Sequence, residues 1–235
     1  MRIAGTVQDS IVDGPGFRFT VFTQGCSHHC PGCHNPQTHD PSGGTEHTVE
    51  ELLERMRSNP LTDGLTLSGG EPTTQPSFAL ALLQAAKKEN LATALDTCGF
   101  AKREIYEALL PFVDKFLFDV KHLTREGHIS CTGVPNDLII ENLRFLSDSG
   151  AAIEIRVPFV PGYNDDDATI DGIGALLEPL HITRVKLLPY HGFARSKYDS
   201  LGMTYEMPDM ERPSTVTMEH AASILRLHNL EVICG

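Results

Sequence analysis

Three cysteines within one short segment are the residues of this sequence best suited to chemistry. They stand at Cys26, Cys30 and Cys33, with the spacing C-x3-C-x2-C. Thiolates held this close together bind soft metals. A secreted disulfide scaffold would be shorter and richer in cysteine, so we interpret the segment as a metal or redox site in a reducing compartment. The other cysteines are scattered and are expected to be small, buried packing residues: Cys98, Cys131 and Cys234.

The spacing by itself leaves three interpretations of this segment open. A structural zinc site needs four ligands, usually in two separated pairs, and there is no second pair, although His28 or His34 could be a fourth ligand. A 4Fe–4S cluster held by three thiolates keeps one iron without a protein ligand, and that iron can bind a substrate or cofactor. Gly25 and Gly32 would let the backbone fold closely around such a cluster. Free or redox-active thiols are the third interpretation.

Composition excludes several classes of protein. The chain has 235 residues, of which 40% are hydrophobic and 21% charged, so it can bury a core and is expected to form a single domain. Its 19 Lys and Arg against 31 Asp and Glu give a net charge of −12, which disfavours binding to nucleic-acid phosphates. No apolar run approaches the roughly 18 residues that cross a bilayer, and the N-terminus lacks the apolar core of a signal peptide. A cytoplasmic protein is the expectation.

The strands and helices that position the cysteines can be predicted from patterns that alternate along the chain. Short runs rich in β-branched and aromatic residues predict six strands, several of them apolar throughout, as is typical of strands covered on both faces. Repeated strand–helix units predict parallel pairing with right-handed crossovers, in either an open doubly wound sheet or a partial barrel. The predicted strands are Phe17–Gln24, Gly64–Ser68, Ala92–Asp96, Phe116–Lys121, Ala152–Val160 and Thr183–Pro189. The predicted helices are one following the capping box Thr48/Glu51 and those at Pro76–Glu89, Lys102–Leu110, Asn136–Ser149, Asp167–Leu177 and Thr217–Leu227.

A distinctive polar or glycine-rich segment follows every predicted strand. In parallel α/β folds the carboxyl ends of the strands meet at one site. Six unusual strand ends are hard to explain by packing alone, so they favour the barrel-like arrangement with a single active face. The segments are Gly25–Cys33, Gly69–Pro72, Asp96–Gly99, Asp119–Lys121, Arg156 with Pro161-Gly162, and Pro189–His191.

Taken in order, these motifs resemble those of the radical S-adenosylmethionine (SAM) enzymes and, more narrowly, of the activating enzymes of glycyl radical enzymes. The cysteine spacing alone is shared by many chemistries, whereas the ordered set is far more specific. The matching stretches are Asp13–Phe19, Gly25–Asn35, Ser68–Glu71, Leu95–Phe100, Asp119–Lys121, Val160–Asp167 and Leu187–His191. The resemblance implies an α/β fold, a partial (βα)6 TIM-like barrel of parallel strands. It also implies one radical SAM domain over residues 1–235, with a cluster loop at 25–35 and a C-terminal cover segment at about 192–235.

The resemblance also implies a function. One 4Fe–4S cluster would bind SAM, reductive cleavage of SAM would give a 5′-deoxyadenosyl radical, and that radical would take a hydrogen atom from a glycine Cα of a partner enzyme. A glycyl radical enzyme is therefore the expected partner, with a flavodoxin or ferredoxin-type electron donor, and the chain is expected to be a monomer. The stretch from Asn35 to Leu61 has no cysteine, so no second cluster is expected. This favours the short form that serves pyruvate formate-lyase or a relative.

Residue roles follow from the same resemblance, position by position. The cluster ligands would be Cys26, Cys30 and Cys33, and a monovalent cation would lie at Asp96, Thr97 and Asp119. Asp96 could instead cap a helix. Asp13 and Arg18 would face the partner's glycine loop. Cys98 stands where the family has Asn, which puts that residue's hydrogen bond in doubt. The residues expected to bind SAM are Gly32, Cys33, His34, Gly70, Glu71, Asp119, Val120, Lys121, Arg156 and His191.

The residue types suit these roles. Gly70 has no side chain to block the methionyl amino group, and Lys121 offers a cation to the methionyl carboxylate. Arg156 lies in an apolar run, where a charge needs a buried partner such as that carboxylate or Glu154. Two other functions remain as alternatives: a radical SAM enzyme acting on a small molecule, and a zinc-binding module.

Overall fold

A computed structural model describes all residues from Met1 to Gly235. By their internal contacts, the residues group into two compact units. The first unit comprises Met1–Ser27 and Gln37–Leu117, and the second comprises His28–Pro36 and Phe118–Gly235. The single domain over residues 1–235 stays a prediction.

The first unit is a sheet with helices, in which the longer strands run parallel. Strand β2 pairs in parallel with β4, and β4 pairs in parallel with β5. Strand β1 is antiparallel to β2 and also pairs with the short β3. The elements are β1 (Arg2–Ser10), β2 (Arg18–Thr23), β3 (Thr45–Glu46), α1 (Val49–Arg57), β4 (Gly64–Gly69), α2 (Pro76–Lys88), β5 (Ala92–Thr97), α3 (Arg103–Leu109) and the first residues of β6 (Lys115–Asp119).

Apolar side chains of these strands form the core of the first unit. Phe19, Val21, Leu65, Leu67 and Leu95 are all at most 1% exposed. Burial of such side chains is the main source of stability for a sheet of this kind. Arg18, Gly64 and Ala92 stand side by side at the amino ends of β2, β4 and β5, so the carboxyl ends of these strands also lie together.

The second unit has its own parallel strands. Strand β8 lies between β7 and β9 and is parallel to both. The backbone amide of Val120, directly after β6, donates to the carbonyl of Arg156 in β7 at 2.9 Å. The elements after β6 are α4 (Arg125–Thr132), α5 (Asp137–Asp148), β7 (Ile153–Phe159), α6 (Asp167–Leu177), β8 (Arg184–Pro189), α7 (Arg195–Leu201), α8 (Thr215–Arg226) and β9 (Glu231–Cys234).

All six predicted strands and all six predicted helices are present, with ends that differ by no more than two residues. The capping box of α1 is also confirmed, since Thr48 accepts from the Glu51 amide and Glu51 accepts from the Thr48 amide. The sequence patterns miss β1, β3, β9, α4 and α7. Strand β1 contains Gly5 and has two irregularities in its register with β2, which disrupt the alternation that identifies a strand. No helix combines the length and apolar character that crossing a membrane would require.

Candidate cofactor site

The glycine loop after β4 packs directly against the residue that precedes the first cysteine. The Gly70 amide donates to the Thr23 carbonyl at 3.0 Å, and the Glu71 amide donates to the Gly25 carbonyl at 2.9 Å. A Cβ atom at position 70 would lie 2.1 Å from the Gly25 oxygen. Glycine is therefore required at position 70 by the close approach of two backbones. Contact between Gly70 and a methionyl amino group stays a prediction.

Glu71 is completely buried, and its carboxylate is held by protein donors. One oxygen accepts from the Thr73 amide at 3.0 Å, the Thr73 hydroxyl at 2.7 Å and the Thr97 hydroxyl at 2.9 Å. The other oxygen accepts from the Cys98 amide at 2.7 Å. A buried carboxylate is tolerated when hydrogen bonds replace its water shell. These contacts join the loop after β4 to the end of β5, and they favour a bracing role for Glu71 over contact with a cofactor.

Two neighbours of this carboxylate are held in their neutral forms. Burial raises the pKa of the Cys98 thiol and of the Tyr106 hydroxyl well above their usual values, and the negative charge of Glu71 adds to both shifts. Tyr106 is also 2.9 Å from the Thr97 hydroxyl, so it extends the network into α3. The expectation of a small, buried Cys98 is confirmed. The same expectation of burial is wrong for Cys234, which is exposed on β9. Cys131 is only partly buried.

The proposed cation ligands have protein partners of their own. Asp96 accepts from the Ser68 hydroxyl at 2.7 Å. The alternative that Asp96 caps a helix is wrong, because α3 begins at Arg103 after Lys102. No three His, Cys, Asp or Glu side chains in the structure are arranged to hold one metal ion. The cation site and the three-cysteine ligand set therefore both stay predictions.

Arg18 points into the first unit, so the expectation that it faces a partner is wrong. It is 1% exposed and donates to the carbonyls of Leu65 at 2.5 Å and Ala92 at 3.1 Å, and to the Thr66 hydroxyl at 3.1 Å. Burial lowers the pKa of Arg18. A guanidinium group has five donors in a fixed plane, which suits it to join neighbouring strands at their amino ends.

Asp13 has a related internal role next to the same strands. Its carboxylate accepts from the hydroxyls of Ser10 at 2.6 Å and Thr20 at 3.1 Å, and its carbonyl accepts from the Thr66 hydroxyl at 2.7 Å. These bonds brace the connection between β1 and β2. A contact between Asp13 and a partner stays a prediction.

In the second unit, the segment with Cys30 and Cys33 forms a tight turn in which the Cys33 amide donates to the Cys30 carbonyl at 3.1 Å. The Asn35 amide donates to the Cys33 sulfur at 3.3 Å. Burial raises the pKa of Cys30 to about 11, so metal binding would have to displace its proton. Closely spaced thiols with an amide directed at a sulfur suit an iron–sulfur cluster, whose sulfurs accept such hydrogen bonds. The donor set therefore fits the cluster that the sequence predicts.

Aromatic rings stack beside this segment. The rings of His34 and His191 lie 4.2 Å apart between centroids, and the ring of Phe193 lies 4.7 Å from that of His191. Burial, with the nearby positive groups, lowers the pKa of His34 to about 4, and burial also lowers the pKa of His191. Both imidazoles are therefore neutral at pH 7. Two predicted SAM-binding residues thus lie together, and the structure adds Phe193 to them.

Helix α7 and the segment after it hold the cysteine turn in place. The Lys197 ammonium donates to the His34 carbonyl at 2.7 Å, and the Tyr198 hydroxyl donates to the Pro31 carbonyl at 3.4 Å. Met207 packs against Gly32, where a Cβ atom would lie 3.2 Å from the Met207 side chain. The predicted cover segment at about 192–235 contains these residues, but sequence reasoning did not identify them, because α7 is short and polar and shows no helical stripe and Met207 lies beyond it.

Three other predicted site residues lie around the end of β6. Lys121 donates to the carboxylate of Asp119, and both side chains are partly buried. Arg156 is 6% exposed, and its Nε lies 4.0 Å from an oxygen of Glu154. The suggestion that Glu154 is near Arg156 is confirmed. Contact of these cations with the SAM carboxylate stays a prediction.

Asn164 is a residue of this region whose role sequence reasoning missed. Its amide nitrogen donates to the carbonyls of Lys121 at 2.8 Å and Pro158 at 2.6 Å, and its amide oxygen accepts from Val160 at 2.8 Å. It belongs to a stretch that matches the family pattern, but the pattern does not say what the side chain contacts.

Comparison with known proteins places these features in a family. Residues 20–171 match the model of the radical SAM superfamily. The pyruvate formate-lyase 1-activating enzyme of Escherichia coli is 35% identical over 230 residues, with 94% of each chain covered. The pyruvate formate-lyase-activating enzyme of Clostridium pasteurianum is 36% identical, with coverage of 89% of this chain and 90% of the relative. The trans-4-hydroxy-L-proline dehydratase activating enzyme of Clostridioides difficile is 30% identical, with 96% of each covered.

Solved structures agree on the fold. A domain of the pyruvate-formate lyase-activating enzyme from Bacteroides vulgatus superposes with a TM-score of 0.61 at 27% identity, covering 73% of this chain and 98% of that chain. A radical SAM methyltransferase from Sphaerobacter thermophilus gives a TM-score of 0.68 at 20% identity, covering 93% of this chain and 66% of that one. The predicted fold class is confirmed: an α/β chain with mostly parallel strands, consistent with the partial barrel of radical SAM proteins.

Proposed function

Because the chain belongs to the radical SAM superfamily and, within it, to the activating enzymes of glycyl radical enzymes, we propose that it installs a glycyl radical on pyruvate formate-lyase or a close relative. The observation that carries this proposal is the ordered set of motifs around C-x3-C-x2-C in a chain that matches such activating enzymes over nearly its whole length. When bound, one 4Fe–4S cluster and SAM would supply the radical that removes a hydrogen atom from a glycine Cα.

The chain's own residues would bind and orient these groups. Cys26, Cys30 and Cys33 would give up their protons and act as thiolate ligands. Lys121 would pair with the methionyl carboxylate, as an ammonium group can. The remaining SAM contacts would come from Gly32, His34, Gly70, Asp119, Val120, Arg156 and His191.

The neutral imidazoles of His34 and His191 are suited to the nucleoside. A neutral aromatic ring can stack on a purine without placing a second positive charge beside the SAM sulfonium. Glu71 would contribute indirectly, because it fixes the loop that contains Gly70. A monovalent cation at Asp96, Thr97 and Asp119 is part of the same proposal.

The choice of partner is supported by chain length. The alignment with the hydroxyproline dehydratase activating enzyme extends over 290 positions, more than this chain contains, whereas the alignment with the E. coli enzyme extends over 230. The short form without added cysteines thus favours pyruvate formate-lyase or a relative as the partner enzyme. A flavodoxin or ferredoxin-type electron donor, a monomeric state and a cytoplasmic location belong to this proposal.

The test uses the anaerobically purified, cluster-loaded protein with SAM, a reductant and separately purified glycyl radical enzymes. We expect a doublet electron paramagnetic resonance signal on pyruvate formate-lyase, and none on a partner whose radical-forming glycine is replaced by alanine. Cys30→Ala should lose both the cluster absorbance and the signal. SAM cleavage without any protein radical would favour a small-molecule substrate, and a colourless protein containing zinc would favour the zinc module.

A further inference from the structure

Asn164 forms a bridge between two loops of the second unit. Its side chain is 2% exposed, and all of its hydrogen-bonding atoms are used. Two of the three bonds go to the Pro158 carbonyl in β7 and to the Val160 amide directly after β7, and the third goes to the Lys121 carbonyl directly after β6. The third bond is the one that reaches a segment distant in sequence.

The local structure of the loop does not depend on the bond to Lys121. The turn is already closed by backbone bonds, since the amides of Tyr163 and Asn164 both donate to the Val160 carbonyl, at 3.1 and 3.3 Å. The helix that follows is capped by Asp166, whose carboxylate accepts from the Thr169 amide. The bond from Asn164 to Lys121 therefore acts on the Lys121 segment.

That segment carries the cation proposed to bind the SAM carboxylate. The amide of Val120 is fixed by the Arg156 carbonyl at 2.9 Å, and the carbonyl of Lys121 is fixed by Asn164 at 2.8 Å. Because the Asp119–Val120 peptide and the Lys121–His122 peptide are both held, the backbone around Lys121 is restrained, and Asp119 restrains the Lys121 ammonium group. A long, flexible lysine gains precision from such anchoring, because less side-chain freedom is lost when it binds a ligand.

We propose that Asn164 is a positioning residue that acts through the Lys121 backbone to place the Lys121 ammonium for the methionyl carboxylate of SAM. This inference rests on the proposed function. It predicts that Asn164 affects recognition of the carboxylate specifically, whereas a residue that only stabilises the loop would affect all parts of SAM equally.

The experiment measures binding to the cluster-loaded protein by anaerobic equilibrium dialysis. The dissociation constant for decarboxylated SAM is divided by that for SAM, and this ratio reports how strongly the carboxylate is recognised. Lys121→Ala should lower this ratio by about tenfold, as the loss of a charge-assisted hydrogen bond does. Asn164→Ala should lower it by roughly two- to tenfold, the effect of one hydrogen bond. In a Lys121→Ala background, Asn164→Ala should lower it no further.

Asn136 provides a matched control. It is also a buried asparagine, and its amide nitrogen donates to the carbonyls of His122 at 3.3 Å and Leu123 at 2.7 Å, just beyond Lys121. Asn136→Ala should lower thermal stability but leave the ratio within about twofold of the unsubstituted protein. Asn164→Asp serves as a second variant if Asn164→Ala does not fold, because it keeps the size and the acceptor for Val160 but cannot donate to Lys121 when ionised.

The outcomes separate this inference from the proposed function. If the unsubstituted protein does not bind SAM, the proposed function fails and takes the inference with it. If SAM binds and Lys121→Ala lowers the ratio, but both Asn164 variants leave it unchanged, the inference is overturned and the proposed function stands. If Asn164→Ala and Asn136→Ala change the ratio of dissociation constants equally, both act by loosening the second unit in general, and the inference is also overturned.

Discussion

Replacing Glu71 with glutamine tests whether this side chain braces the protein or contacts the cofactor. The substitution keeps the size of the side chain but exchanges one acceptor oxygen for an NH2 donor. If the remaining oxygen takes the place that accepts from Thr73 and Thr97, the NH2 group faces the Cys98 amide, and two donors then meet without an acceptor. A buried donor without a partner costs about 1–3 kcal/mol, and two of them face each other here. We therefore expect a loss of roughly 2–6 kcal/mol in the free energy of unfolding.

The assay is urea unfolding of the cluster-free protein under reducing conditions, followed by far-ultraviolet circular dichroism. The expected loss corresponds to a fall in the melting temperature of about 4–24 °C for a chain of this size. Glu107→Gln is the control, because Glu107 is exposed and pairs only with Arg103 on the same helix, so its loss should change stability by less than about 1 kcal/mol. A Glu71→Gln variant as stable as the control, but with weakened SAM binding, would refute the bracing role and restore Glu71 as a cofactor contact.

Four further substitutions or measurements follow from the structure. Arg18→Met should lower the melting temperature, because the carbonyls of Leu65 and Ala92 lose their donor. It should leave the affinity for SAM unchanged. A thermal melt checks the first result and equilibrium dialysis checks the second. Lys121→Ala should weaken SAM binding by about tenfold while the cluster absorbance stays intact, and a loss of absorbance would contradict its role. In the folded, cluster-free protein the exposed Cys234 should react with a thiol reagent much faster than the buried Cys98. Burial raises the pKa of both thiols, so the difference comes from access, and peptide mapping of the labelled protein distinguishes the two. Burial lowers the pKa of His128, so below about pH 6.5 the folded state takes up fewer protons than the unfolded state. The free energy of unfolding should therefore fall as the pH drops below about 6.5. Urea unfolding at pH 7.5 and 5.5 measures this difference, which should be smaller in His128→Gln.

Much of the fold could be predicted because the signals are local. The strands β4, β5 and β7 are short runs in which apolar or β-branched side chains recur between turn residues. Helix α6 begins after an Asp N-cap and ends where its apolar stripe ends. Strand β9 carries exposed residues at the edge of its sheet, and its sequence alone does not distinguish it from a loop. Helix α7 is equally hard to predict from sequence, because it has only seven residues and a 3.6-residue period cannot be recognised over so short a window.

The candidate site was harder to predict, because a motif does not encode the direction in which its side chains point. Arg18 belongs to a family pattern, but its position at the amino end of β2 places it at the start of the parallel strands, where its donors find carbonyls. Glu71 follows two glycines, which suggests a ligand loop. Its partners are Thr97, the last residue of β5, and Cys98 directly after it, which lie 26 and 27 residues further along the chain. Such partners become visible only when the register of β4 and β5 is known.

The carboxylate of Glu71 couples two stretches that are distant in the sequence. The loop after β4 and the end of β5 share one acceptor group, so a side chain without a hydroxyl at position 97 removes one of the donors to a buried carboxylate. At position 98 the main-chain amide donates the 2.7 Å bond, and every residue except proline has that amide. The Cys98 side chain is buried and also hydrogen-bonds to Glu71, so its size and polarity matter as well. A graft of either stretch into another scaffold should carry the other with it.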